Sequence, residues 1–217
     1  MTKLLHKEMK LAASPLTYWF ILSSFLTLVP GYPILVGTFF LTLGIFYSFQ
    51  TARESSDTLY SALLPIAKAD VVKAKYLFVM VIEGAGFTLA AILTLLRMTV
   101  FRNASAYTGN ALMNANPLFL GFALVILGLF NLVFVRGYYK TAYKFTKPFI
   151  GYIIASFIAI TIAESLHFFP GMEAVNAFGF DHPEVQLPAL AAGAVLYAAM
   201  TYLGVKASTE SFEKIDL

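Results

Sequence analysis

Long apolar runs separated by short polar segments decide what this chain can fold into. A helix crossing a hydrocarbon core needs about 20 apolar residues, and it satisfies its backbone hydrogen bonds internally. Residues 16–29, 34–50, 72–97, 118–135, 148–165 and 187–206 read as such helices. Charged residues make up 12% of the 217, half of the roughly 25% in an average soluble domain, so lipid is the expected solvent. The expected fold is an all-α integral membrane protein, a single transmembrane domain of six transmembrane helices. The first two runs are short, and Tyr18, Trp19, Tyr32 and Tyr47 are placed to extend them at headgroup level. Between these runs, Pro30-Gly31-Tyr32-Pro33 forces a tight turn.

Residues 2–13 read as an N-terminal amphipathic interfacial helix. Lys3, Lys7 and Lys10 recur on one face, and Leu5, Met9 and Ala12 on another. Ser14-Pro15 predicts a break before the first span, because the residue before proline avoids helical angles and proline suits a helix's first turn. Six spans place both termini on one side. Of the 15 Lys and Arg residues, only Arg97 and Arg102 fall on the other side, so the positive-inside rule puts both termini in the cytoplasm. No cleavable leader is expected, because Glu8 sits among the N-terminal lysines and no short apolar core with a small-residue cleavage site follows. The absence of cysteine excludes disulfides and thiol chemistry. The basic residues hug the ends of apolar runs instead of forming a patch with aromatics, which argues against a nucleic-acid partner.

Helices in lipid associate through small residues. Gly151, Ala155, Ala159 and Ala163 form a seam along the fifth span, either a helix–helix interface or the chance pattern of an Ala-rich helix. Gly37/Gly44 and Gly121/Gly128 are one-faced pairs on the second and fourth spans, whereas the sixth is too rich in alanine for its face to be read. Glu83 is the one acidic residue well inside a span, with Gly86, Ala90 and Thr94 on its face. An ionisable group there costs on the order of 3 kcal/mol and faces the protein interior. Two readings stand: a substrate or gating contact, or a carboxyl hydrogen-bonded within the bundle. Asn131 reads as helix-packing glue. Glu164 and His167 stand at i and i+3, but no second spanning helix supplies a ligand, so no metal site is expected. No G-x-x-x-x-G-K-[ST] phosphate loop occurs, so the chain does not cradle ATP by itself.

Residues 51–76 form the one charge-dense island between apolar runs. Glu54, Asp57 and Ser61 fall on one face of a short helix over residues 54–64, Leu59 and Leu63 fall on another, and Pro65 stops it at Leu64. Asp70 is placed to cap the third span, and Lys73 and Lys75 to meet lipid phosphates. Such a helix either docks a partner or lies on lipid.

The run Arg53-Glu54, then Leu59-Tyr60-Ser61-Ala62-Leu63-Leu64-Pro65-Ile66, then Lys68-Ala69-Asp70-Val71-Val72-Lys73-Ala74-Lys75-Tyr76 resembles the region after the second span in bacterial permeases of ATP-binding-cassette exporters of type-2 architecture. The resemblance is close over this segment and loose over the whole chain. It implies that residues 54–64 are a coupling helix seated on a separate cytoplasmic ATPase subunit, with Glu54, Asp57, Leu59, Tyr60, Leu63 and Leu64 at the contact. It implies that ATP and Mg are bound by that partner, that this chain holds no cofactor, and that it is not itself an enzyme. It implies a second permease chain, identical or different, with Gly151, Ala155, Ala159 and Ala163 at the dimer interface. Residues 2–13 match the family's connecting helix, residues 167–185 its re-entrant outer helices, and the setting is a bacterial cell membrane. The implied function is export of a hydrophobic or amphipathic substrate, peptide or drug-like, along a path lined in part by Glu83. The alternatives are an intramembrane hydrolase using Glu164 and His167, and a stand-alone channel or secondary transporter around Glu83.

Overall fold

The computed structural model describes residues 1–57, 60–61, 65–107, 112–141 and 144–214, and every regular element among them is helical. Helix α1 spans Thr2–Ala12 and α2 Pro15–Leu28, with a bend of 99° between them. Local chemistry makes this corner. Ser14 is extended and its Oγ accepts a hydrogen bond from Leu16 N at 3.3 Å, while Pro15 opens α2 with a φ already suited to a helix. Tyr18 then staples the corner by donating its hydroxyl proton to Met9 O at 2.6 Å. The apolar face of α1 lies on protein: Ala12 is fully buried, and Leu5 and Met9 pack against the core.

Within α2, Phe20–Leu28 is wound as a 3-10 helix. That winding rises about 2.0 Å per residue instead of about 1.5 Å, so its 9 residues and the 5 α-helical ones before them reach about 26 Å rather than about 21 Å. Tighter winding thus lengthens a run that is short for a core of about 30 Å.

Helices α3 (Leu35–Glu54), α4 (Lys68–Thr99), α5 (Pro117–Lys140), α6 (Thr146–Phe168) and α7 (Pro183–Glu213) are each long and apolar enough to cross a membrane. Counting the bent α1–α2 pair as one more span makes six. The molecule is an all-α multi-pass membrane protein. Helix α3 continues through Glu54, so that residue belongs to a spanning helix's last turn, where Gln50 Nε2 donates to it at 3.2 Å. The helix stops because Ser56 takes a left-handed φ of 53°, the conformation that ends helices and is more often glycine's. Helix α4 starts behind extended Ala67, and Asp70 lies in its first turn with no side-chain cap bond, a position that favours the helix dipole instead. Asn116 caps α5, its Oδ1 accepting from Phe119 N at 2.9 Å, and Pro117 opens the helix.

Each glycine pair has a partner helix. Helix α2 runs antiparallel along α3, with Thr17 Oγ1 donating to Gly44 O and Ser23 Oγ to Gly37 O, both at 2.8 Å. The α5 pair receives α7, whose Gly193 lies directly against the Gly121 backbone. Aromatic rings bind α3, α5 and α6: Phe46 stacks on Phe149 with centroids 3.9 Å apart, and Phe134 meets both edge-on. Helix α6 buries only a narrow line through Tyr152, Ser156, Ile160 and Ala163, and leaves Ile150, Ile154, Ile158 and Ile162 more than half exposed.

Candidate functional site

Charged groups from three separate parts of the chain converge at the basic end of the bundle. Lys7 Nζ lies 2.7 Å from Asp57 Oδ2 and 3.1 Å from Glu8 Oε1, and it donates to Ser61 Oγ at 2.6 Å. The other oxygen of Glu8 accepts from Lys75 Nζ at 2.8 Å. Asp57–Lys7–Glu8–Lys75 is therefore a continuous ion-pair chain linking the segment after α3, helix α1 and the base of α4. The Glu8 and Lys75 side chains are 4% and 6% exposed, so this pair is inside the protein and not a screened surface contact. Lys75 also lies 4.8 Å from the Phe49 ring and 5.3 Å from that of Phe78.

This geometry sets the charge states at α1, which lies at the bundle end. Burial works against the Glu8 carboxylate, but Lys75 and Lys7 outweigh it and hold its carboxyl below the usual range. Burial likewise works against the Lys7 ammonium, and Glu8 and Asp57 overcome it, raising its pKa above 10.5.

Glu83 is the centre of a second cluster, inside the bundle. It is 1% exposed, and its Oε2 accepts from Asn131 Nδ2 at 3.0 Å and from the Tyr197 hydroxyl at 2.8 Å. Asn131 Nδ2 also donates to Thr201 Oγ1 at 3.0 Å. Asn131 sits where α5 winds as a π-helix, over Phe130–Val135, and its backbone carbonyl accepts from the buried Tyr76 hydroxyl at 3.1 Å. One carboxyl thus ties α4 to α5 and α7, with Gly86, Ala90 and Thr94 buried on its face as the spacing predicts. Glu83→Ala removes the acceptor shared by the Asn131 amide and the part-buried Tyr197 hydroxyl and is expected to cost about 1–3 kcal/mol. Glu83→Gln keeps an acceptor in place and should lose less than half of that, read as melting in detergent.

At the opposite end, the Asn-rich segment clasps the segment after α6. Asn114 Nδ2 donates to Asn176 O at 2.8 Å, Asn116 Nδ2 to Ala177 O at 3.2 Å, and Gln186 Nε2 to the same carbonyl at 3.0 Å. Glu164 serves this clasp, its Oε2 accepting from Met113 N at 2.9 Å, while His167 lies beside the Phe168 ring. Among the described residues, no three His, Cys, Asp or Glu side chains gather as metal ligands would. Arg97 is fully buried, donates to Thr27 O at 2.9 Å and lies 4.3 Å from the Tyr107 ring, closing the end of α2.

Of the residues expected at a partner contact, Tyr60 is 64% exposed and Asp57 is turned onto Lys7. Leu59, Leu63 and Leu64 lie outside the described residues. Lys75 points inward and not to lipid, because it continues the buried face of Val71, Val72 and Val79; Lys73 is the exposed one. Of the α6 seam, Gly151, Ala155 and Ala159 are half-buried, and Ala163 is turned into this chain's own core. Sequence reasoning missed Glu8, Tyr197 and Thr201. Glu8 carried a signal, since it shares the apolar face of α1 with Leu5 and Ala12. Tyr197 and Thr201 lie in an Ala-rich helix whose inward face has no periodic mark.

Fold and sites together define a multi-pass helical membrane protein whose charged connections gather at one end. Residues 3–213 match the family described as ABC-2 family transporter protein, and the chain belongs to that family. It is an ATP-binding-cassette permease subunit, a class that implies a partner ATPase. No curated protein and no solved structure matches it.

Proposed function

We propose that the chain is the membrane half of an exporter driven by a separate ATPase, which seats on the segment around Tyr60 in the cytoplasm of a bacterial cell. The observation that carries this reading is the ion-pair chain Asp57–Lys7–Glu8–Lys75. A push on the segment beside Tyr60 reaches α1 and the base of α4 through charges about 3 Å apart, and α4 carries Glu83 further along its length. By residue type, Leu59, Leu63 and Leu64 would add apolar contact with the ATPase, and Glu54 precedes them in the sequence. ATP and Mg are held by the partner. Motion of α4 against α5 and α7 opens a path lined in part by Glu83 for a hydrophobic or amphipathic compound. A second permease chain packs against α6, where Gly151, Ala155 and Ala159 border the exposed row Ile150, Ile154 and Ile158.

The test is co-expression and reconstitution with a candidate ATP-binding-cassette ATPase subunit from the same organism. Tyr60→Asp should leave melting unchanged, because the side chain is exposed, and reduce stimulation of ATP hydrolysis at least tenfold. Full stimulation in that variant, or failure of the native pair to co-purify, would overturn the docking assignment.

A further inference from the structure

Helix α1 has two chemically distinct faces. Lys7 and Glu8 turn inward to Asp57 and Lys75, whereas Lys3, His6 and Lys10 recur at i, i+3 and i+7 on the exposed side. Among the described residues no ion pair reaches these three. The cationic row ends at the α1–α2 corner. There an open groove is lined by Pro15, Tyr18, Trp19 and Leu22, with Trp19 69% exposed. The two features are physically joined, because Tyr18 in the groove wall donates to Met9 O, one residue before Lys10.

Cations, then an aromatic pair, then an apolar groove is the order of chemistry met along a phospholipid from headgroup to acyl chain. Lysine near a membrane surface favours anionic headgroups, and tyrosine and tryptophan partition to the interface between headgroup and tail. We propose that the α1–α2 corner binds an anionic phospholipid, its headgroup on Lys10 and its acyl chain in the Pro15–Tyr18–Trp19–Leu22 groove. Lys3 and His6 extend the attracting field along α1. The headgroup then rests on the helix whose other face holds the Asp57–Lys7–Glu8–Lys75 chain.

Trp19 is the only tryptophan in the chain, so indole fluorescence reports on this corner alone. The full chain is reconstituted in phosphatidylcholine vesicles doped with brominated phosphatidylglycerol or, separately, with brominated phosphatidylcholine. Bromine on a neighbouring acyl chain quenches the indole. Half-maximal quenching is expected at an about fivefold lower mole fraction of the anionic lipid, the contribution of one lysine at the surface. The exposed Lys3→Gln/Lys10→Gln double variant should bring the two lipids level while keeping its helical circular dichroism. Equal quenching of the native protein by both lipids would overturn the proposal. So would a preference that survives in the double variant, or relief of quenching by soluble glycerol phosphate, which lacks the acyl chain. None of these readouts involves an ATPase, so the result is independent of the docking reading.

Discussion

Glu8→Ala is expected to be among the most damaging single substitutions in this chain. It leaves the Lys75 ammonium buried without its carboxylate, and breaking a buried ion pair from one side costs about 3–5 kcal/mol. The loss should appear as a large fall in melting temperature in detergent. It should also appear as faster proteolysis within residues 1–14, since α1 loses its charged anchor on α4. Replacing both partners, Glu8→Gln with Lys75→Met, should recover much of the loss, because no charge is then left alone in the interior. Equal damage from the single and double variants would show that the pair does not hold α1. The pH dependence follows from the same geometry. The Glu8 carboxyl is depressed in the folded state, so its contribution is present above the unfolded pKa of about 4.3 and is lost as pH falls through the lower folded value. Lys7 is raised, so its contribution is present below about 10.4 and is lost as pH rises through the higher folded value. Stability from the ion-pair chain therefore holds across neutral pH and weakens at both extremes, acid loosening it through Glu8.

Gly193→Ala is expected to part α5 from α7. A Cβ on Gly193 would lie 2.7 Å from Gly121 Cα and 2.8 Å from Gly121 C. Both are backbone atoms, which no rotamer change can move aside, so the helices must separate along a crossing that also positions Tyr197 and Thr201 on Asn131 and Glu83. Overpacking of this kind costs about 3 kcal/mol at the upper end of its usual range. The reciprocal variant Gly121→Ala should behave alike, because its Cβ would lie 2.8 Å from Ala189 O. Gly151→Ala is the matched control. Its Cβ would meet only Val133 Cγ1, at 3.6 Å, an ordinary contact, and alanine favours a helix interior by about 0.5–1 kcal/mol. Thermal unfolding of the three variants in one detergent compares them directly; a Gly193→Ala protein as stable as Gly151→Ala would refute the close crossing.

The contrast between Gly193 and Gly151 shows what the sequence carries and what it withholds. Membrane-helix chemistry is written in runs of residue type, so the all-α fold was legible from apolar length and charge scarcity. Caps and corners are also local: Ser14-Pro15 and Asn116-Pro117 carry their own geometry. Which face of an apolar helix meets a neighbour is not local. In α6 the four-residue spacing of small residues drew attention to a seam, yet the backbone-to-backbone approach lies at Gly121 and Gly193, the latter concealed among alanines. The same limit hid the partners of Glu83. Its own face was readable from Gly86, Ala90 and Thr94, but Tyr197 reaches it from a helix more than a hundred residues away. At the basic end the spacing of Lys73 and Lys75 looked like membrane-surface charge. The face shared with Val71, Val72 and Val79 marks Lys75 as the buried one, and α1 brings the carboxylate that pairs it.

The winding of α2 has a mechanical corollary. A 3-10 segment and an α-helical one differ by about 0.5 Å of rise and about 20° of turn per residue. Over the 9 residues of Phe20–Leu28, a change from one winding to the other shortens the rod by about 4.5 Å and twists its ends by about half a revolution. One end of that rod is fastened at the α1 corner and the other at Arg97, through Thr27 O. Midway along the rod, Ser23 Oγ donates to Gly37 O and Ser24 Oγ to Gly86 O, so any such change of winding must first break the bonds that hold the first span at its greater length.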